Sequence, residues 1–275
     1  MKIYPKKSLG QNFLVDNEIL NQIVDLGEIN SNDIILEVGP GTGNLTEKIL
    51  KKKPKKLIVV EKDKNLSLFL KKKFNNDIEI INDDILNYNQ KFLYKKKIII
   101  FGNLPYNIST QILISWIKVD DLNKFCKKFI LMFQKEVADR ILADFNSKNY
   151  GRISIISSWK MEIEKIIDIH PNSFSPSPKI KSSLLVFKPK DTYFNLKNPK
   201  NLEHVTNIFF NQRRKMIKKP LKFLFKNYEK VAEELSLDLT LRPQNLSCLT
   251  YYKICSHYEN YFSKYKTWFL ILFLL

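Results

Sequence analysis

The segment Phe101-Gly102-Asn103-Leu104-Pro105-Tyr106 follows directly on the apolar run Ile98-Ile99-Ile100. It delivers an amide, a proline-locked backbone and an aromatic ring to the end of an expected buried strand. The side-chain oxygen of Asn103 and the carbonyl of Leu104 can both accept hydrogen bonds from an exocyclic NH2 group. Pro105 has no N–H to compete beside those acceptors, and it biases Leu104 towards an extended backbone, which fixes where the Leu104 carbonyl points. Tyr106 supplies a ring for stacking. This spacing suits chemistry on an amine carried by a flat heteroaromatic ring, a nucleobase above all. Asn103, Leu104, Pro105 and Tyr106 are therefore the candidate catalytic residues.

A second constellation, Glu37-Val38-Gly39-Pro40-Gly41-Thr42-Gly43-Asn44, lies between an apolar run and a helix pattern that starts at Leu45. A glycine-rich turn at a helix N-terminus lets a ligand approach backbone N–H groups closely. A phosphate-binding P-loop would need Gly-Lys-Ser/Thr where this chain has Asn44-Leu45-Thr46. The dinucleotide fingerprint begun at Gly39 meets Asn44 at its third glycine position, which disfavours NAD. Glu61 closes the next apolar run about twenty residues on, where an acid can accept both ribose hydroxyls. Asp84 closes the third run and is placed to reach an adenine amino group. Gly39, Gly41, Glu61 and Asp84 at successive strand ends outline an adenosine pocket at the carboxyl edge of a sheet, where α/β folds bind their ligands.

The elements that must position these residues are legible as a pattern. Asp16 caps a short amphipathic helix running to about Leu26. Apolar runs at 34–38, 57–60, 78–81, 98–101 and 129–133 alternate with charged, helix-patterned segments, which implies a parallel sheet with helices on both faces. Two further strands are expected at 153–159 and 183–187, flanking a Pro-rich loop at 171–178, as the antiparallel finish of the same sheet. Around 191–199 the composition turns to Asn, Lys and Pro, and helical patterning follows to the end. The expected domains are an α/β domain at 1–192 and a small all-helical domain at 193–275.

The chain of 275 residues carries a formal charge of +18, which points to a polyanionic partner, nucleic acid first, because phosphate neutralisation releases counterions. Only five of its 46 cationic residues are arginine, so the lysine excess reads in part as compositional drift. The adjacent pair Arg213-Arg214, followed by Lys215, carries more information, since guanidinium forks match phosphate geometry. These three residues are expected to open a basic helix that grips a phosphate backbone. Cys126, Cys248 and Cys255 show neither a CxxC pair nor a metal spacing, so a reducing compartment without disulfides or a metal site is expected. The basic N-terminus has no apolar h-region behind it. The apolar tail from Trp268 to Leu275 falls far short of the ~20 residues that span a bilayer and is expected to pack on the protein.

Taken in order, Leu9-Gly10-Gln11-Asn12-Phe13-Leu14, the glycine turn at 39–43, Asn103-Leu104-Pro105-Tyr106-Asn107-Ile108, Gln134-Lys135-Glu136-Val137, Phe174-Ser175-Pro176-Ser177-Pro178-Lys179 and Phe210-Asn211-Gln212-Arg213-Arg214-Lys215 resemble the ribosomal RNA adenine dimethyltransferases over nearly the whole chain. The resemblance implies a Rossmann-like S-adenosylmethionine methyltransferase sheet with a helical C-terminal RNA-recognition domain. It implies S-adenosylmethionine as cofactor, with Asn12, Leu14, Gly39, Glu61, Asp84 and Asn103 around it, and Tyr106 and Phe174 sandwiching the target base. The implied substrate is a pair of adjacent adenosines near the 3′ end of small-subunit rRNA, in an immature 30S-type subunit, modified by a cytoplasmic monomer. Two readings compete: an antibiotic-resistance type of methyltransferase acting on large-subunit rRNA, and a ribosome-assembly factor that binds RNA without catalysis. The chain departs from the family pattern at Lys181, where an acid is expected, and in the apolar tail.

Overall fold

The computed structural model describes residues 5–6, 10–88 and 97–272, with side chains in the last helix described through Tyr261. Its strands are β1 (Phe13–Leu14), β2 (Ile34–Val38), β3 (Lys56–Val60), β4 (Glu79–Ile81), β5 (Ile98–Asn103), β6 (Cys126–Gln134), β7 (Met161–Ile169), β8 (Phe174–Ser175) and β9 (Ser182–Pro189). Its helices are α1 (Asn17–Asp25), α2 (Asn44–Lys51), α3 (Lys64–Phe74), α4 (Ser109–Ile117), α5 (Leu122–Phe125), α6 (Lys135–Ile141), α7 (Arg152–Lys160), α8 (Pro199–Phe210), α9 (Lys218–Leu224), α10 (Tyr228–Glu234) and α11 (Cys248–Leu272).

Seven strands form one sheet in the order β4-β3-β2-β5-β6-β9-β7. The strands from β2 to β6 run parallel, and β9 is antiparallel to both β6 and β7. The near-continuous apolar runs of β2 and β5 follow from burial on both faces, the situation of a central parallel strand. Helix α1 starts where expected: the Asp16 carboxylate accepts from the Glu18 and Ile19 N–H groups. Leu20, Ile23 and Val24 of α1 pack with Ile35, Leu57, Ile99 and Phe101 in one apolar core. The strand order reverses direction between β2 and β5, and their carboxyl ends carry the glycine turn and the Asn103 motif.

The chain folds as two compact units, residues 1–138 with 161–191 and residues 139–160 with 192–275. The α/β unit is thus not the continuous span 1–192 read from composition, because 139–160 groups with the helical residues. Within that segment the expected strand at 153–159 is helix α7. Its apolar residues Ile153, Ile155, Ile156 and Trp159 are all buried, and so are Ser154 and Ser157. A helix covered on every face shows no 3.6-residue period, and its alternating serines mimic a strand. The serine hydroxyls are satisfied locally: Ser157 Oγ donates to the Ile153 carbonyl at 2.6 Å and Ser158 Oγ to the Ser154 carbonyl at 2.7 Å. The strand that pairs with β9 is instead β7, which directly follows α7. Within the helical unit, Glu259 is buried and accepts from the Lys197 and Asn198 N–H groups at 2.8 and 2.9 Å, fixing α8 against α11.

Candidate active site

The α/β unit holds a cavity of about 170 Å³ at the carboxyl edge of its sheet, lined by Gly10 to Phe13, Gly39, Gly41, Glu61, Lys62, Asp84 and residues 103–108. Of the expected site residues, Asn12, Gly39, Gly41, Glu61, Asp84, Asn103, Leu104, Pro105 and Tyr106 are brought together there. Gly39 and Gly41 adopt φ of +69° and +57°, the left-handed region that only glycine occupies without strain. A Cβ on Gly41 would come within 2.6 Å of the Phe13 ring, and one on Gly39 within 3.3 Å of the Asn103 carbonyl oxygen. The turn therefore packs its bare backbone directly against Phe13 and Asn103 in the cavity wall.

Each polar group in the cavity is held in a defined orientation. Asn103 Nδ2 donates to the Asn12 carbonyl at 2.8 Å, so its donor end is engaged and its oxygen is the acceptor end. Glu61 accepts from the Asp63 N–H at 2.8 Å and the Gly41 N–H at 3.3 Å, and burial pushes its carboxyl above the ordinary carboxylate range. Asp84 receives Lys62 Nζ at 2.8 Å and the Leu86 N–H at 3.0 Å; the bond from the Lys62 ammonium holds its carboxyl below the ordinary range. Tyr106 places its hydroxyl 2.6 Å from Ser182 Oγ, and burial pushes its phenol up, so the ring stays neutral.

An N-terminal strap closes the cavity. Phe13 and Leu14 pair antiparallel with Ser175 and Phe174, Val15 N–H donates to the Ser173 carbonyl at 2.9 Å, and Asn44 Nδ2 donates to the Leu14 carbonyl at 2.8 Å. Gln11 Nε2 reaches Asp63 at 3.2 Å, and Lys6 Nζ pairs with the same carboxylate at 2.9 Å. Gln11, Phe13 and Lys62 were not singled out as site residues from the sequence. For the first two the signal was present, since both lie in the Leu9 to Leu14 motif.

Two expected site residues lie elsewhere. Leu14 is buried beside a smaller recess shared with Phe13, Gly39 and Asn103. Phe174 is only 3 % exposed and belongs to the apolar core with Leu14, because its strand is taken up in pairing with the strap. The structure brings Tyr106 to the cavity and does not bring Phe174 there.

The helical unit carries a separate, more open groove of about 570 Å³ lined by Arg214, Lys215, Lys218, Lys219, Lys222 and Arg242 among others. The expected basic helix opening at Arg213 is instead a turn at 211–214 ahead of α9. Arg213 is not in the groove: its guanidinium donates to the Lys148 carbonyl at 2.5 Å and to Gln244 Oε1 at 3.1 Å. Lys181 is exposed, and nothing in the structure explains a lysine where the family pattern has an acid. The tail from Trp268, together with Lys7 and Leu9, lies outside the residues whose side chains are described. Among the described residues, no helix is long and apolar enough to cross a membrane.

The mostly parallel sheet, the glycine turn and the acids at successive strand ends define a Rossmann-like methyltransferase. A crystal structure of a dimethyladenosine transferase from Plasmodium falciparum is similar at a TM-score of 0.73 and 28% identity, covering 88% of this chain and 95% of that one. The 23S rRNA methyltransferase ErmE, at a TM-score of 0.66 and 19% identity over 90% of this chain and 100% of its own, shows the fold alone. A model of the ribosomal RNA adenine dimethylase family matches residues 4–259, and the chain belongs to that family. A relative from Pelagibacter ubique (strain HTCC1062) named ribosomal RNA small subunit methyltransferase A is 57% identical over 260 residues, 94% of this chain and 99% of the relative. One of the same name from Ehrlichia canis (strain Jake) is 40% identical over 93% of this chain and 97% of its own.

Proposed function

We propose that this enzyme transfers methyl groups from S-adenosylmethionine to N6 of two adjacent adenosines near the 3′ end of small-subunit rRNA, giving dimethyladenosine. One observation carries the chemistry: the Asn103 amide nitrogen donates to the Asn12 carbonyl, which leaves its oxygen as the acceptor end in a residue that lines the cavity. The residues present fit the cofactor. Glu61 and Asp84 offer acceptors for ribose hydroxyls and for an adenine amino group, and Gly39 and Gly41 line the same cavity without side chains. When bound, S-adenosylmethionine supplies an electrophilic methyl group.

The chain's own contribution is positional and electrostatic. The N6 lone pair of adenine is delocalised into the ring, so the nitrogen is a poor nucleophile while planar. Hydrogen bonds from the NH2 group to Asn103 and to the Leu104 carbonyl favour tetrahedral nitrogen and stabilise the positive charge that develops on it. No strong general base is needed, because the alkylated amine is acidic. One N–H remains after the first transfer, which permits a second. Tyr106 stacks on the base, worth ~1–3 kcal/mol, comparable to the cost of unstacking it from RNA. Arg214, Lys215 and the lysines of α9 hold the phosphate backbone.

The names of the relatives favour the small subunit over the large-subunit alternative, and the complete set of cavity residues favours catalysis over RNA binding alone. The same reading places the enzyme in the cytoplasm, acting as a monomer on an immature 30S-type particle. The test is to incubate the protein with radiolabelled S-adenosylmethionine and immature small subunits and map the modified bases. Label on two neighbouring adenosines near the 3′ end is expected; label in large-subunit RNA, or none, refutes the reading.

A further inference from the structure

Tyr106 sits in a turn, yet a base stacked on a ring needs that ring held as firmly as the acceptors beside it. The structure shows what holds it. Ser182 Oγ lies 2.6 Å from the Tyr106 hydroxyl, and Ser182 is fully buried. Ser182 opens β9 with a strand on either side, opposite Gln134 of β6 and Ile169 of β7. Its backbone is therefore fixed by two ladders at the carboxyl edge, next to the cavity. The base of the turn is held separately: the Ile108 N–H donates to the Pro105 carbonyl at 3.1 Å, and Ser109 Oγ donates to the Tyr106 carbonyl at 3.2 Å. A tyrosine anchored at its backbone and at its far oxygen cannot swing about χ1, whereas anchoring at the backbone alone leaves that rotation open.

We infer that Ser182 is a positioning residue for the target adenine, acting through Tyr106 by fixing the direction of the stacking ring. The inference rests on the base-stacking role proposed above. Sites built on strands hold tighter tolerances than sites on loops, and here a strand lends its rigidity to a loop residue through one hydrogen bond. Positioning of this kind should appear in methyl transfer and not in cofactor binding, because neither Ser182 nor the Tyr106 hydroxyl is needed to form the Glu61 and Asp84 end of the cavity.

The experiment compares the wild-type chain with Ser182→Ala, Tyr106→Phe, the double variant and Ser182→Thr. Single-turnover methyl transfer to immature small subunits and the Kd for S-adenosylhomocysteine are measured for each. Loss of the hydrogen bond from either side should slow transfer about fivefold, the worth of one such bond, with cofactor Kd unchanged. The double variant should be no slower than either single one, and Ser182→Thr, which keeps the hydroxyl, should restore the rate. Multiplying effects in the double variant, or a native rate in Tyr106→Phe, overturns the inference. Tyr106→Phe also serves if Ser182→Ala fails to fold, since it removes the bond without touching the buried strand. A wild-type chain that transfers no methyl group would instead refute the functional reading itself.

Discussion

The cavity in the α/β unit and the groove on the helical unit are built in opposite ways. The cavity is small, and its polar groups are held by neighbours before any ligand arrives: Asn103 by Asn12, Glu61 by two backbone N–H groups, Asp84 by Lys62. The groove is larger and open, and most of its lining is lysine and arginine, from residues 214–222 and from Arg242. Preorganisation suits one small molecule whose reacting atoms must be placed to a fraction of an ångström. Dispersed cations suit a polyanion, whose attraction is long-ranged and tolerant of position. Point substitutions in the first should act on the chemical step, and in the second on salt dependence.

Five substitutions can break or sharpen this contrast. The largest effect is expected from Asn103→Ala, which should lower methyl transfer about a hundred- to a thousandfold, the range for losing one preorganised transition-state partner, while RNA binding by filter retention persists. Retained activity would remove the cavity's claim to the chemistry. Next comes Glu37, fully buried beside the glycine turn with Thr46 Oγ donating to it at 2.7 Å. Burial pushes its carboxyl up to about 8. Between the ordinary glutamate value and about 8 the native chain keeps a proton that the unfolded chain releases, so stability falls as pH rises across that window and the loss is complete above it. Thermal unfolding at a series of pH values should show Glu37→Gln flattening this loss, on the order of a few kcal/mol.

Gly41→Ala should be milder. The left-handed backbone costs an alanine about 1–2 kcal/mol, and the new Cβ must displace the Phe13 ring. Titration calorimetry should show cofactor affinity down by about tenfold, with RNA affinity unchanged. The smallest effects separate the two arginines. Arg214→Ala should reduce the slope of log affinity against log salt by about one. Arg213→Ala should leave the slope close to native and lower stability by about 1 kcal/mol, because its guanidinium ties Lys148 to Gln244 and does not line the groove. Equal slope changes from both would return Arg213 to the phosphate backbone.

The sheet and cavity were more legible than the helical unit, for physical reasons. Runs such as Ile34 to Val38 and Ile98 to Phe101 are buried on both faces, and buried parallel strands advertise themselves as unbroken apolar segments. The cavity's residues sit at the last position of such a strand or within three positions past it, so local sequence placed Gly39, Glu61, Asp84 and Asn103 once the strands were found. What local sequence does not carry is pairing across distance. The fate of Phe174 depends on a strap more than 150 residues away, and the fate of Arg213 on Lys148 and Gln244. Strand β7 was within reach: Met161 and Ile163, then Ile167 and Ile169, alternate with polar residues. The register shift between Lys165 and Ile167 breaks that alternation, and the neighbouring serine-rich helix drew the strand assignment away.

The pairing of β1 with β8 also sets an order of events during synthesis. Residues 10 to 16 leave the ribosome roughly 160 residues ahead of their partners Ser173 to Ser175. Until then Asn12 has no seat from which to hold Asn103, and Phe13 has no support under the glycine turn. Closing so distant a contact late is slow compared with local helix formation. Assembly of the methyl-transfer site therefore waits on residues 173–175, and a nascent chain that has not yet made them carries the glycine turn and Asn103 without the strap that holds them.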